Sequence, residues 1–410
     1  DDSGAVRKKQ YDIESSPMNR IITSTANIIL GIVVLILAIA ALALIPLPIP
    51  TVTDFWMLYN TAYGLVRGVY IYDYTAQSSI AYQVFGDLLQ DITLPYYVYP
   101  PWFVYSFFFL GLFPPDYAAR FWFWCNIAII GTALYFITNS WSFRSKVYAI
   151  LFTLSWSSIW MLLIVGQFIA PLMLGIALIM FAITHSQLSL LVVGMFLLTY
   201  KPHLGGFIFL FVVGWLLFKR YYKPLKVIIF THISIGIICL IINPLWLSDY
   251  IRTLIGFREQ TTFTTCDDCS SGATLLVSAM TGKADTATAL YVGIGIALVG
   301  SFIWWLIFQS RLDTTIEVTV YWSSVLALLS IPYVNNYDYA MLLLPFLWLT
   351  NTAKHTVTKI FLTISLVVPW IGVVLSNRPI VAVLLASSAC SMAFALLFEV
   401  YLNRLKAHSM

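Results

Sequence analysis

Charged side chains are what this sequence has least of. Only 10% of its 410 residues are Asp, Glu, Lys or Arg, where a soluble domain carries about a quarter. That shortage excludes a soluble enzyme and a disordered chain. Histidine and cysteine are sparse too, five of each, and the net charge of +4 is too mild for a nucleic-acid partner. No internal repeat and no low-complexity linker interrupts the chain. What fills it is apolar: 60% of residues are hydrophobic and 16% aromatic. Lipid has to take much of that surface, so the sequence describes a polytopic membrane protein.

Cys125, Cys239 and Cys390 lie in apolar runs and read as inert packing residues. Cys266 and Cys269 form a CxxC in a polar loop. Two thiolates fall short of a metal's ligand set. A local disulfide in an oxidising space and an idle pair of thiols are the two readings.

The tail Asp1 to Arg20 is polar and basic, and the run after it, Ile21 to Ile49, is too long for a cleaved signal peptide. It reads as a first transmembrane helix leaving the tail in the cytoplasm. Further apolar runs fall near 101–113, 120–138, 147–165, 169–184, 188–200, 204–218, 225–247, 286–308, 315–332, 340–350, 359–375 and 380–402. Several are shorter than the ~20 residues that a perpendicular helix needs. Either their borders stretch into flanking aromatic residues or some segments are broken.

Orientation follows from Lys219, Arg220, Lys223 and Lys226, a basic cluster between two runs that belongs in the cytoplasm. Counting from it puts 51–100, Gln167, Lys201, 248–285 and 333–339 outside and both termini inside. The runs are odd in number, so either a later short pair counts as one span or one of them does not cross. The best candidate is 101–113, bracketed by Pro100-Pro101 and Pro114-Pro115. The expected fold is all-α, with about twelve transmembrane helices in one domain over 21–402, and cytoplasmic tails at 1–20 and 403–410.

Residues 51–100 hold Asp54, Asp73, Asp87 and Asp91 against a single Arg67. The stretches DFWMLYNTAYGLVRG and IAYQVFGDLL carry apolar residues at helical spacing, which predicts short amphipathic helices lying on the outer membrane face. Asp54 follows the first span, beside Phe55 and Trp56. Two readings compete there. One is a helix N-cap; the other is a general base, which needs a partly desolvated carboxylate at the boundary.

Asp54-Phe55, then Tyr59, Ala62, Gly68 and Tyr70, then Tyr99-Pro100-Pro101, Gly166-Gln167, Lys201-Pro202 and a short aromatic loop before a late helix follow in order. In that ordered set the chain resembles the GT-C glycosyltransferase superfamily. It is most similar to the polyprenyl-phosphate-mannose-dependent α-mannosyltransferases, the branch that includes the enzyme extending phosphatidylinositol mannosides. The resemblance implies an integral plasma-membrane enzyme with an extracytoplasmic active site and an inverting reaction. Its donor would be a polyprenyl-phosphate sugar and its acceptor a glycolipid or another lipid-linked molecule. The resemblance makes Asp54 the catalytic base and offers Tyr59 and Tyr99 as sugar- or acceptor-binding residues. Relatives with pyrophosphate-linked donors place two acids on a divalent metal, but Asp54 has no DxD or DxE. The expectation is therefore a reaction without metal or cofactor.

Lys201-Pro202-His203 interrupts two apolar runs, and a Lys and a His at that depth face a cavity or a partner. They are candidates for the donor phosphate, against a turn whose lysine snorkels to the headgroups. Arg252 and Arg258 in the second outer loop are further phosphate candidates, or solvated loop arginines, with Arg378 behind them. Gln167 reads as a sugar-hydroxyl ligand or a turn residue. In the loop Tyr333 to Tyr339, Asn336, Tyr337 and Asp338 suit sugar recognition, against interfacial anchoring. Relatives often carry a histidine here, and this chain has none between His232 and His355. Glu317, Glu399 and His232 read as structural. A GT-C enzyme using another sugar or a pyrophosphate-linked donor is the main alternative. A transporter or flippase should show repeats and mid-helix charges, and a scaffold would not need the ordered polar set.

Overall fold

Proline and glycine cut the apolar runs into helices, and those helices make up the fold. The computed structural model describes residues 54–86, 97–260, 272–282, 286–309, 315–353, 355–375 and 378–409. All of them belong to one compact unit, and no strand occurs among them. The first expected span, Cys266, Cys269, Asp87 and Asp91 lie outside the described residues, as do the side chains of Arg258 and Arg378.

In chain order the helices begin with α1 (Phe55–Leu65), α2 (Tyr74–Phe85), α3 (Pro101–Ser106), α4 (Pro115–Ile137), α5 (Phe143–Leu154) and α6 (Ser157–Val165). Next come α7 (Ile169–Thr184), α8 (Leu188–Leu198), α9 (Pro202–Phe218), α10 (Tyr222–Ile242), α11 (Trp246–Gln260) and α12 (Gly272–Thr281). The last are α13 (Thr286–Gln309), α14 (Ile316–Ser330), α15 (Leu343–Thr352), α16 (Thr356–Leu375) and α17 (Arg378–Ser409). Among the described residues, 3₁₀ turns lie at Phe108–Leu112 and Asn336–Leu342. Pro101, Pro115 and Pro202 open their helices at the first position, where a missing N–H costs nothing. Asp73 and Ser142 cap α2 and α5 by accepting from Ala76 N and Ser145 N.

Among the described residues, four helices are long and apolar enough to cross a membrane: Pro115–Ile137, Tyr222–Ile242, Ala287–Ile307 and Ile380–Tyr401. A fifth crossing results if α5 and α6, bent by 60°, count as one broken span. Helices α10 and α13 leave most of their apolar surface outside the protein, with Phe230 72% and Tyr291 75% exposed. Apolar side chains displayed over whole helices are a membrane surface.

The short runs did not stretch. Helices α7, α8, α9 and α14 keep to 16, 11, 17 and 15 residues, and the run 147–165 is broken at Ser155-Trp156. The segment 101–113 is a six-residue helix followed by a 3₁₀ turn; α3 rises about 9 Å, so it does not span. The stretch 248–285, read as a loop, holds most of α11 and all of α12. Of the two helices predicted on 54–68 and 80–89, the first is present as α1; the second overlaps only the end of α2, which starts earlier, at Tyr74, and its last residues lie outside the described ones. Helix α1 is not amphipathic in its setting. From Phe55 to Ala62 every residue is buried, so α1 packs inside the protein instead of resting on a surface.

The core gathers on the 3₁₀ turn Asn336–Leu342, against which α6, α7, α14, α15 and α17 all pack. Tyr337 to Leu342 are buried without exception. Helices α7 and α8 cross at Gly175 and Gly194, where a Cβ on either glycine would lie 2.8 Å from the other's carbonyl oxygen.

Candidate active site

The breaks between apolar runs supply the polar residues, and packing brings several breaks together. Asp54 precedes α1, Gln167 sits between α6 and α7, Lys201 caps the start of α9, and Tyr337 and Asp338 lie in the 3₁₀ turn. All of these positions fall on one side in the charge-based count, and here their side chains touch.

Asp54 occupies the N-cap position of α1 but makes no side-chain capping bond. Its Oδ2 instead accepts from Gln167 Nε2 and from the Tyr337 hydroxyl, the latter at 2.9 Å. No partner of Oδ1 occurs among the described residues, and Asp54 stays partly accessible. One carboxylate oxygen is held and the other is open.

The donors are themselves oriented. Gln167 Oε1 accepts from Phe168 N at 3.1 Å and from Lys201 Nζ at 3.5 Å. Both partners are donors, so the amide's oxygen faces them and its N–H₂ is left for Asp54. Asn335 Nδ2 donates to the Tyr337 oxygen at 2.8 Å, which directs the phenolic proton to Asp54. Burial pushes the Tyr337 phenol well above its ordinary range, and the nearby Asp54 charge adds to this, so the group stays a donor.

Gln167 owes its place to Gly166. The glycine ends α6 in the left-handed region at φ +68°, and a Cβ there would lie 2.8 Å from Phe55 Cβ. The Gly166 carbonyl accepts from Trp122 Nε1 at 2.8 Å. The turn is thus pressed against the first residue of α1, next to Asp54.

Lys201 is 2% exposed and bonds Asp338 Oδ1 at 2.5 Å. Asp338 is fully buried, and its Oδ2 accepts from Asn335 N at 2.8 Å. Burial pushes the Asp338 carboxyl above its usual range, while Lys201 beside it pulls it back. The lysine expected at a donor phosphate is therefore already paired, and it sits 4.8 Å over the Tyr337 ring. His203, two residues on, keeps an exposed side chain. Among the described residues no group of three His, Cys, Asp or Glu is placed to hold a metal ion. Asp338 spends both oxygens within the cluster.

Other predicted residues land at varying distance from this centre. Tyr99 is buried against Phe168 and Phe103, within electrostatic reach of Asp54. Asn336 accepts from Ser158 Oγ at 3.2 Å. Tyr59 is not brought in: it is fully buried, and its hydroxyl donates to Phe113 O at 2.9 Å. Arg252 lies apart, with an 81% exposed side chain that pairs with Asp249 at 3.3 Å. Asp249 also accepts from the Tyr70 hydroxyl at 2.9 Å.

Sequence reasoning passed over Asn335, Ser158 and Trp156. Asn335 lay in the loop singled out, and its place beside Tyr337 is a signal in the sequence. Ser158 and Trp156, whose Nε1 donates to Tyr339 O at 3.1 Å, sit inside an apolar run that gives no such sign.

No curated protein and no solved structure matches the chain. A family model does, over residues 97–332, a span that includes Gln167 and Lys201 and stops short of Asp54 and Asp338. With more than half of its length matched, on an all-helical membrane frame, the chain belongs to glycosyltransferase family 87 and is a membrane glycosyltransferase.

Proposed function

We propose that the chain transfers a hexose, mannose in the first instance, from a polyprenyl-phosphate donor to a hydroxyl of a glycolipid or other lipid-linked acceptor. The reaction takes place at the extracytoplasmic face, on a frame of about twelve crossings that includes the shorter apolar helices, with both termini cytoplasmic. The supporting observation is the divided carboxylate of Asp54: Oδ2 is held by Gln167 and Tyr337 while Oδ1 is open. A base needs that state, fixed in direction and with one lone pair free.

The acceptor hydroxyl gives its proton to Asp54 Oδ1 as its oxygen bonds to the anomeric carbon. The bond from that carbon to the phosphate oxygen breaks on the opposite side, and its electron pair leaves with the polyprenyl phosphate. Attack opposite the leaving group inverts the anomeric carbon. In this reading His203, at the start of α9, takes the phosphate in place of Lys201, which is committed to Asp338, with Arg252 and Arg258 as outer contributors. Gln167 and Tyr337 act mainly on Asp54, while Tyr99, Asn336 and Asp338 shape the sugar side. Asp54 is followed by Phe55 and Trp56 with no DxD or DxE, which supports a reaction independent of metal.

The test is transfer of radiolabelled mannose from a polyprenyl-phosphate donor in membranes, comparing the parent with Asp54→Asn, with and without chelator. The expected result is a fall of about 10²–10⁴-fold in the variant and no effect of chelator. Full activity in Asp54→Asn would falsify the base assignment. Activity with a pyrophosphate-linked donor alone would favour the alternative chemistry on the same frame.

A further inference from the structure

We propose that the end of α9 remote from Asp54 carries a binding site for the headgroup of an anionic phospholipid. The seat is a cavity of about 310 Å³ between the α7–α8 turn and the α9–α10 turn, the volume of a small-ligand pocket. Ser186, Gln187, Tyr221 and Lys223 bring polar groups to it, and Ile183 and Leu191 form part of its apolar wall. No acidic side chain lines it.

The same backbone device builds both turns. Helix α7 ends with Gln187 N bonded to Ala182 O, and α9 with Tyr221 N bonded to Leu216 O, each at 2.8 Å. Such a six-to-one closure needs a left-handed residue before its donor. Here those residues are Ser186 at φ 57° and Arg220 at φ 60°, neither of them a glycine. The two sharp turns leave the cavity between them, and α8 and α10 both start at its rim.

Charge selects the occupant. Arg220, Lys223 and Lys226 are exposed on one turn and the first turns of α10. Between Asp116 and Asp249 the sequence holds no acidic residue at all, so the helices α5 to α10 offer this cluster no carboxylate. A basic pocket between membrane helices at an interface suits a phosphodiester. Leu217, Tyr222, Ile229, Phe230 and Ile233 are exposed just beyond it, giving the acyl chains an apolar track. Helix α9 rises about 25 Å, so this site and the acid cluster stand at opposite ends, and the proposal does not rest on the reaction assigned to Asp54.

The experiment uses the full chain in nanodiscs of equal parts phosphatidylcholine and phosphatidylglycerol, with retained lipids counted by native mass spectrometry. The parent is expected to keep phosphatidylglycerol several-fold over phosphatidylcholine, and an Arg220→Gln/Lys223→Gln/Lys226→Gln chain to fall to parity. Ile183→Trp fills the cavity and leaves the charges alone, and it should lower retention as well. Arg144→Gln, on α5, should keep the parent's preference. Equal retention of both lipids by the parent overturns the proposal. So does an unchanged preference in the triple variant, which would place the lipid elsewhere, or in Ile183→Trp, which would leave a diffuse surface charge. Saturation by inorganic phosphate with no lipid preference would assign a free-anion site instead.

Discussion

Gln167 donates its side-chain N–H to the carboxylate of Asp54, and that acid gives α1 no capping bond. A capping aspartate would turn its oxygens back to the amides of its own helix. This one turns away, to groups delivered by the α6–α7 turn and the 3₁₀ turn.

Orientation of Asp54 by its two donors sets the first prediction. Gln167→Leu is expected to lower turnover by about 10²-fold through misplacement of the base, with little change in the KM for the donor. Tyr337→Phe, which keeps the ring and Gln167's bond, should cost about tenfold. Single-turnover and steady-state assays on membranes distinguish the outcomes. A rise in KM with unchanged turnover would make these side chains sugar ligands instead.

The Lys201–Asp338 pair sets the second. Lys201→Met strands a buried carboxylate and should cost about 3–5 kcal/mol, as should Asp338→Leu, which strands the ammonium. The double variant should recover most of that loss. The pH dependence has a definite sign. Burial holds the folded Asp338 carboxyl above its ordinary 3.8, so the folded state keeps its proton longer than the unfolded one. Stability contributed this way is present at low pH and lost as pH rises from about 4 through the folded value. Removing Lys201, which pulls that value down, should carry the loss to higher pH. Thermal unfolding of both variants across a pH series checks it, and parallel curves for parent and Lys201→Met would refute it.

Gly166→Ala should be poorly tolerated. The left-handed backbone alone costs an alanine about 1–2 kcal/mol, and its Cβ would strike Phe55. A lowered unfolding temperature together with weakened transfer is the expected pair. Loss of stability with turnover intact would detach the turn from the site.

Tyr59→Phe separates a packing residue from a substrate ligand. The hydroxyl reaches only Phe113 O among the described residues, so its removal should cost about 1 kcal/mol and leave transfer rates within twofold of the parent. A collapse in activity at unchanged stability would return Tyr59 to the sugar site.

Much of the frame was legible because hydropathy reports directly on helices. The run 169–184 became α7 with the same limits, and Pro101, Pro115 and Pro202 mark three helix starts. The burial of α1 was not legible. Its sequence carries Asn60 and Thr61, which read as a polar face until Gln77 meets Asn60 at 3.1 Å and Met57 O meets Thr61. A polar residue looks the same in sequence whether water or protein satisfies it. The break inside 147–165 was hidden for a related reason, since the flanking residues are apolar on both sides.

By itself, the sequence determined that the chain lives in lipid, where its helices lie, and which few residues are polar enough at helix ends to do chemistry. Those conclusions need only the cost of burying charge and the period of a helix. Which ends meet was decided by the tertiary structure alone. Asp54, Gln167, Lys201 and Asp338 belong to four separate breaks, and nothing in apolar periodicity says which breaks share a partner. The packing of α6 and α7 against one buried turn, with Lys201 reaching that turn from the start of α9, makes that choice, because there the buried ion pair is satisfied and Asp54 finds two donors.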